Sequence, residues 1–234
     1  MFAILKRELG SYFTSPVGYV VTAAFMAFNG IFFYVQCLYT GQSNMSSVFQ
    51  SMFFIVLFLI PLLTMRLFAE DRKSRTDQAL LTAPIGIVPV IMAKFLSALI
   101  MLLICLSSYI IDGIILAFVA SPDWSVIFGN IFAMLLMGSS FIAIGIFVSS
   151  LTESVMIAAV FSFAVNVLIS MIDTISSTIP WEWLKNVLST ISFQAKYSSF
   201  SLGLISLSNV VFFITVTALF LFLTDRVIDR RRWA

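Results

Sequence analysis

The amino-acid sequence predicts an all-α polytopic membrane protein with six transmembrane helices, and three observations support that fold class. The chain has 234 residues, of which 61% are hydrophobic and only 10% are charged. Soluble domains carry about 25% charged residues, so a water-soluble fold would leave much apolar surface unburied. Six apolar stretches are each about 20 residues or longer, the length that a helix needs to cross a bilayer. Apolar residues fill each stretch without alternation, which favours helices over the strands of a barrel.

The first element along the chain is a predicted interfacial helix over residues 1–15. Its apolar residues recur at helical spacing, and basic and hydroxyl side chains occupy the other face. The two sets are Phe2, Leu5, Leu9 and Tyr12, and Lys6, Arg7 and Ser11. An ordinary basic flank of the first span is the alternative interpretation. The Ser15–Pro16 pair predicts that the helix ends before the first span.

The six predicted spans lie at about 17–39, 48–67, 91–119, 127–150, 155–174 and 204–224. Of the 13 Lys and Arg residues, all except Lys185 and Lys196 fall on one side of these spans. The positive-inside rule therefore predicts a multi-pass protein of the cell (inner, cytoplasmic) membrane with both termini cytoplasmic. The segment 175–203 is then extracytoplasmic, and the apolar spacing after Pro180 predicts a short amphipathic helix at the outer leaflet.

The only long cytoplasmic connection, 68–90, carries a predicted helix over residues 68–83. Asp71 and Arg75 are spaced to support it, and Pro84 is expected to end it. A solvated charged loop is the alternative. Because the segment is dense in charge, compatible with a helix and closed by a Leu-Leu pair, we favour a docking element.

Small residues concentrate in the fourth span. They are Gly138, Ser139, Ser140, Ala143 and Gly145. Since small side chains let transmembrane helices approach closely, this segment predicts tight packing.

Polar residues that could line a pathway are few. Asp112, Asn166 and Asp173 are expected in the outer half of the bundle, although spacing alone does not show that they converge. Asp112 lies roughly 27 Å along a helix from Lys94, so a solvated or hydrogen-bonded residue near the outer boundary is the favoured interpretation.

No catalytic, cofactor-binding or metal-binding residue is predicted. The sequence contains no histidine, its 2 cysteines lie in apolar stretches, and no Gly-x-x-x-x-Gly-Lys phosphate loop occurs. The carboxylates are scattered rather than clustered, which argues against an intramembrane enzyme.

Three segments carry a resemblance to a known family. Residues 4–21, ILKRELGSYFTSPVGYVV, closely resemble the opening of type-2 ABC exporter permeases, especially the gliding-motility-associated branch. Residues 68–73, FAEDRK, followed by LLTAP at 80–84, look like that family's cytoplasmic coupling segment. Residues 145–153, GIFVSSLTE, resemble its turn between the fourth and fifth spans.

This resemblance implies a non-catalytic permease subunit of an ATP-driven exporter, with ATP and Mg bound by separate ATP-binding cassette ATPase subunits. It also implies a second permease subunit, identical or different, an accessory membrane protein, contact with the lipid bilayer and no nucleic acid. It assigns ATPase coupling to Phe68, Glu70, Asp71, Arg72, Lys73, Leu80 and Leu81. The alternative function is a non-transport membrane anchor, or a mechanical or regulatory component of an ATPase-containing membrane complex.

Overall fold

The structure, a computed structural model, describes residues 1–41, 44–76, 86–178, 190, 192–201 and 206–232. Helices make up nearly all of this part of the chain, and no strand occurs within it. In chain order the helices are α1 (Phe2–Thr14), α2 (Pro16–Phe33), a π-helix (Tyr34–Leu38), α3 (Ser46–Thr64), α4 (Arg66–Lys73), α5 (Ile87–Leu106), α6 (Ser108–Val119), α7 (Trp124–Leu151), α8 (Val155–Thr178), α9 (Phe193–Ser201) and α10 (Leu207–Arg232). The predicted all-α fold class is confirmed for these residues.

Six of the described segments are long and apolar enough to cross a membrane. They are Pro16–Leu38, Ser46–Lys73, Ile87–Val119, Trp124–Leu151, Val155–Ile172 and Leu207–Arg230. The second span joins α3 to α4, and the third joins α5 to α6. The prediction of six helices long and apolar enough to span a membrane is therefore confirmed, and each overlaps its predicted position.

The bundle has two distinguishable ends. One, here called the charged end, is defined by Glu8 of α1, Asp71 of α4 and Lys94 of α5, which are in contact with one another. Asp225 of α10 lines a cleft with Val88 of α5, so the C-terminal half of α10 also lies at this end. The first and last described helices thus reach the same end of the bundle, as an even number of spans requires.

Helix α7 forms the centre of the bundle, packing against α3, α4, α5, α8, α9 and α10. A Cβ atom on Gly138 would overlap Leu102 of α5, and one on Gly145 would overlap Thr64 of α3. A side chain at Gly145 would require Thr64 to move, whereas one at Gly138 would require only the end of the Leu102 side chain to shift, and at both positions a neighbouring helix packs directly against α7. The predicted tight packing around this cluster of small residues is confirmed.

Helix α1 ends where the sequence predicts. Ser15 is extended, with φ −99° and ψ 151°, and Pro16 begins α2. The chain folds back closely at this point, since a Cβ atom on Gly18 would overlap the carbonyl oxygen of Tyr12. The buried Tyr12 hydroxyl donates a hydrogen bond of 2.7 Å to the carbonyl of Leu63, which ties α1 to the end of α3.

Helix α9 enters the bundle rather than lying across its end. The ring of Phe193 stacks on Phe141, near the middle of α7, at a centroid distance of 5.2 Å. At the other end of α9, Ser201 Oγ accepts a 3.0 Å hydrogen bond from Gln50 Nε2, close to the start of α3. Helix α9 therefore rises from mid-bundle to the end opposite the charged end. The amphipathic helix expected after Pro180 lies outside the described residues.

Candidate functional site

The charged end of the bundle contains a buried lysine whose hydrogen-bond donors all have acceptors. Lys94 is only 1% exposed. Its Nζ atom donates to Glu8 Oε1 at 3.1 Å, to Asp71 Oδ2 at 2.6 Å and to the carbonyl oxygen of Leu67. An ammonium group has three donors, so this environment satisfies it completely. The Nζ atom also lies 5.0 Å from the centre of the Phe68 ring, within the range of a cation–π contact.

A second cation balances the charge of this cluster. Arg7 Nη2 lies 2.6 Å from Glu8 Oε1 and 3.6 Å from Asp71 Oδ2. The hydrogen bond to Glu8, together with the negative charges of Glu8 and Asp71, raises the pKa of Arg7, while its partial burial acts in the opposite direction. Two carboxylates and two cations therefore share one site, and the Glu8 carboxylate is largely buried between them.

The cluster joins helices that are distant in sequence. Glu8 comes from α1, Asp71 and the Leu67 carbonyl from α4, and Lys94 from the second turn of α5. Removing one partner of a buried ion pair leaves an uncompensated charge, which typically costs about 3–5 kcal/mol. The cluster therefore links α1, α4 and α5, and loss of one of its members would destabilise that arrangement.

The junction between α3 and α4 is held by a hydroxyl group of α7. Ser149 Oγ donates to the carbonyl of Met65 at 3.0 Å. The same oxygen accepts hydrogen bonds from the backbone amides of Phe68 at 3.2 Å and Ala69 at 3.1 Å. These backbone groups lie at a helix start, where amides lack intrahelical partners, and the site is buried. Ser149 thus links the start of α4 rigidly to the central helix.

The predicted coupling residues of α4 have different environments. Phe68 is buried, Asp71 belongs to the cluster, and Lys73 is exposed without an ion pair to any other described residue. Glu70 accepts two hydrogen bonds from Arg66, at 2.7 and 2.8 Å, and Arg72 pairs with Glu153 at 2.5 Å. Leu80 and Leu81 lie outside the described residues.

The helix predicted over 68–83 has different bounds in the structure. Helix α4 begins at Arg66, directly after the second span, and ends at Lys73. Arg75 has φ 57°, in the left-handed region, which interrupts a right-handed helix. Hydroxyl groups of Ser74 and Thr76 bond to the carbonyls of Glu70 and Asp71, which takes up acceptors at the helix end. The prediction of one continuous helix across residue 75 was therefore wrong.

A cleft of about 290 Å³ opens between α1 and α4 beside the charge cluster. Charged side chains of both signs line it, and Tyr12 lies in its wall. Complete burial raises the pKa of the Tyr12 hydroxyl, so this group stays a neutral hydrogen-bond donor. The charged residues of the lining are Arg7, Glu8, Arg66, Glu70 and Asp71. The cleft can accept a polar or charged segment of a partner.

The buried face of α1 differs from the predicted one in its residues. Leu5 and Leu9 are half-buried and Tyr12 is buried, as the spacing indicated, but Glu8 is buried with them. Phe2, which the pattern assigned to the same face, is 79% exposed. The Glu8 carboxylate turns toward the bundle to pair with Lys94 Nζ at 3.1 Å.

The predicted pathway residues lie on different helices. Asp112 of α6 accepts a hydrogen bond from Asn29 Nδ2 of α2, which also donates to Ser108 Oγ at 3.1 Å. Asn166 lies on α8, which packs against α3, α7 and α9, and its buried amide has no hydrogen-bond partner in the described part of the chain. The side chain of Asp173 lies outside the described residues.

Four residues that organise these sites are not among the site residues that the sequence predicts. In the sequence Lys94 contributes only to the count of basic residues on one side of the spans, and Glu8, Ser149 and Asn29 are not predicted as site residues. One signal is present for Lys94, because it falls inside the predicted third span, 91–119, a costly position for a charge. No sequence signal distinguishes Ser149 from neighbouring serines.

No known family model and no curated protein matches the sequence. Within the described ranges, no group of three or more His, Cys, Asp and Glu side chains is arranged to hold a metal ion. The functional interpretation therefore depends on the geometry of the charged end and on the segments that resemble a family.

Proposed function

We propose that the chain is the membrane-spanning permease subunit of an ATP-driven ABC-type exporter, with ATP hydrolysis in separate subunits. The observation that supports this most strongly is the buried charge cluster joining α1, α4 and α5. In this proposal the charged end faces the cytoplasm of a cell membrane, so both termini are cytoplasmic. The permease pairs with a second permease subunit and docks on ATP-binding cassette subunits at this end.

Force transmission requires a rigid connection between the docking surface and the spans. Helix α4 extends the second span past Met65, and Ser149 holds the start of α4 against α7. The Lys94 cluster then links α4 to α1 and to the third span. A movement imposed on α4 by a partner is consequently passed to the second, third and fourth spans as a rigid-body displacement, the kind of change that nucleotide binding can bias.

The surface around α4 carries charges that suit a docking partner. The side chains of Glu70 and Glu153 are 50% and 71% exposed, and Lys73 is exposed at the end of α4. Their existing pairs lie near water, where an ion pair is worth little, so a partner's charges can compete for them. Charge complementarity of this kind sets the orientation and rate of association more than its strength.

The position of α1 in the bilayer belongs to the same proposal. Phe2 and Phe13 are exposed on a helix that also carries exposed Lys6 and Arg7. Apolar and basic side chains exposed together fit the boundary between headgroups and acyl chains. With its buried face held by Glu8 and Tyr12, α1 lies in the membrane plane as an interfacial helix.

Copurification of ATP hydrolysis tests the proposal. The tagged full chain is purified from its native membrane, and vanadate-sensitive ATP hydrolysis is measured per permease. Lys73→Glu reverses an exposed charge without breaking an ion pair to any described residue, so the fold is expected to survive. We expect copurified hydrolysis to fall about tenfold, which corresponds to a loss of about 1.4 kcal/mol at the interface.

The matched control is Lys196→Glu, which makes the same charge reversal on α9, on the far side of the bundle. Its only described interaction besides backbone bonding is with the Phe212 ring at 4.8 Å, a minor contribution to stability. Hydrolysis should be unchanged in this variant. Absence of vanadate-sensitive hydrolysis from the wild-type preparation, or equal effects of the two substitutions, would contradict the proposal.

The alternative function, a membrane anchor, also requires a partner ATPase. Copurified ATP hydrolysis therefore does not distinguish an anchor from an exporter. They differ in whether hydrolysis responds to cargo. An exporter reconstituted in vesicles of one fixed lipid composition should hydrolyse ATP faster when a fractionated cell extract is added as the source of cargo. A mechanical or regulatory anchor should hydrolyse ATP at the same rate with and without the extract.

A further inference from the structure

A groove at the end of the bundle opposite the charged end has no part in the proposed coupling. It has a volume of about 660 Å³ and lies between the π-helix, the start of α3 and α9. Ligand sites commonly have volumes of about 300–1,000 Å³. Its polar lining consists of Gln36, Ser47, Gln50, Ser51, Gln194 and Ser198. None of these side chains is charged, so the groove has no means of pairing with an ionic ligand.

The amide of Gln36, which lines this groove, has one hydrogen-bonding atom without a partner among the described residues. Its Nε2 atom donates to Ser51 Oγ at 2.8 Å, whereas its buried Oε1 atom has no partner among the described residues. Gln36 lies in the π-helix Tyr34–Leu38, an uncommon conformation that is frequent at functional sites. A buried acceptor without a donor costs roughly 1–3 kcal/mol, which a ligand hydroxyl could recover.

The wall of the groove is aromatic and opens toward lipid. Phe32, Phe53 and Phe54 line it together with Ile55, and Phe54 is 57% exposed on the membrane-spanning part of α3. Ser47 and Gln50 lie in the first turns of α3, whereas Phe54 lies roughly 6 Å deeper than Gln50 along the helix axis. The polar rim therefore sits near the end of the bundle, and the apolar wall runs from it into the span.

We infer that this groove binds a lipid with an uncharged, hydroxyl-bearing headgroup. Amide and hydroxyl side chains both donate and accept hydrogen bonds, as sugar or polyol hydroxyls do. The headgroup lies among Gln36, Gln50 and Gln194, and an acyl chain follows Phe54 and Ile55. Because it concerns binding alone, the inference goes beyond the proposed transport function and does not depend on it.

Native mass spectrometry of the purified full chain tests this inference. The protein is exchanged into phosphatidylcholine nanodiscs that contain equal fractions of monogalactosyl diacylglycerol and phosphatidylglycerol, and the retained lipids are counted. We expect the galactolipid to be retained about tenfold more than phosphatidylglycerol, because a site without charge gives an anionic headgroup no compensation. Equal retention of the two lipids would overturn the inference.

Variants locate the binding. Gln36→Leu removes the open acceptor at similar volume, and we expect about a tenfold loss of galactolipid retention, the usual effect of losing a hydrogen bond in a buried site. Ser198→Phe fills the groove from α9 and should abolish retention even if Gln36→Leu disturbs the π-helix. Thr215→Val, on the exposed face of α10 and bonded only to its own helix, is the control and should leave retention unchanged.

Two further measurements distinguish a bound lipid from a bound free sugar. Free galactose, measured by equilibrium dialysis, should bind at least about a hundredfold more weakly than the lipid, since it cannot use the aromatic wall. Binding of free galactose as tight as that of the galactolipid would contradict a lipid site. Retention that survives in Ser198→Phe would place the lipid elsewhere on the chain and would overturn the assignment.

Discussion

At the scale of single residues, Lys94 is a buried charge whose removal would be costly. A lysine that is 1% exposed is tolerated only because Glu8, Asp71 and the Leu67 carbonyl accept from all three of its donors. Replacing such a charge cluster with apolar groups of similar size is often neutral or stabilising, so stability alone does not explain its presence. The cluster connects α1, α4 and α5 at one point.

We predict that Lys94→Met destabilises the protein by about 3–5 kcal/mol, because it leaves the carboxylates of Glu8 and Asp71 without their buried partner. The triple variant Glu8→Gln, Asp71→Asn and Lys94→Met removes all three charges together and should cost about 0–2 kcal/mol. Unfolding free energies in detergent, measured for both variants by denaturant titration, check this. A single variant no less stable than the triple variant would show that the cluster is not electrostatically coupled.

At the scale of elements, the α3–α4 junction depends on one hydroxyl group. Ser149 of α7 bonds to the Met65 carbonyl and to the amides of Phe68 and Ala69. The chain can therefore bend at Met65 without leaving buried backbone groups unpaired. Gly145, one turn earlier on α7, admits Thr64 at close range, so the same face of α7 holds both sides of the bend.

We predict that Ser149→Ala destabilises the protein by about 1–3 kcal/mol, because it leaves three backbone partners unsatisfied in a buried site. The matched control is Ser107→Ala at the exposed junction of α5 and α6, where the hydroxyl bonds only to the carbonyl of Ile104. Its effect should stay within about 0.5 kcal/mol. Hydrogen exchange of the α4 amides should quicken in Ser149→Ala and not in Ser107→Ala. Unchanged exchange in both variants would remove the assigned role of Ser149.

The elements that could be predicted from the sequence are those set by local signals. Span length, the Ser15–Pro16 break and the small residues at Gly138 and Gly145 act over a few residues, so composition and spacing suffice. The charge cluster depends instead on contacts between α1, α4 and α5, and nothing in the sequence near Glu8 indicates its partner. The bounds of α4 could not be predicted because the left-handed backbone at Arg75 has no strong residue signature.

At the scale of the whole molecule, the even number of spans brings the described N- and C-terminal helices to the same end, the charged end. This end is rich in basic residues. The groove lined by Gln36, Gln50 and Gln194 lies at the opposite end, where the described residues carry few charges. A molecule with one charged and one largely uncharged end has an orientation preference in a membrane, because basic residues are retained on the cytoplasmic side.

We predict that the charged end faces the cytoplasm. In a Cys37→Ala, Cys105→Ala background, Ser121→Cys places a thiol in the exposed connection between α6 and α7, and Ser74→Cys places one in the exposed turn after α4. A membrane-impermeant maleimide added to intact cells should label the thiol at residue 121. The thiol at residue 74 should react only after the cells are permeabilised, because its side of the membrane carries most of the Lys and Arg residues.

Both native cysteines are buried, so the background substitutions leave the surface unchanged. The opposite labelling pattern would invert the orientation, and with it the assignment of α4 to a cytoplasmic ATPase, since no ATP-binding subunit could then reach the Lys94 cluster.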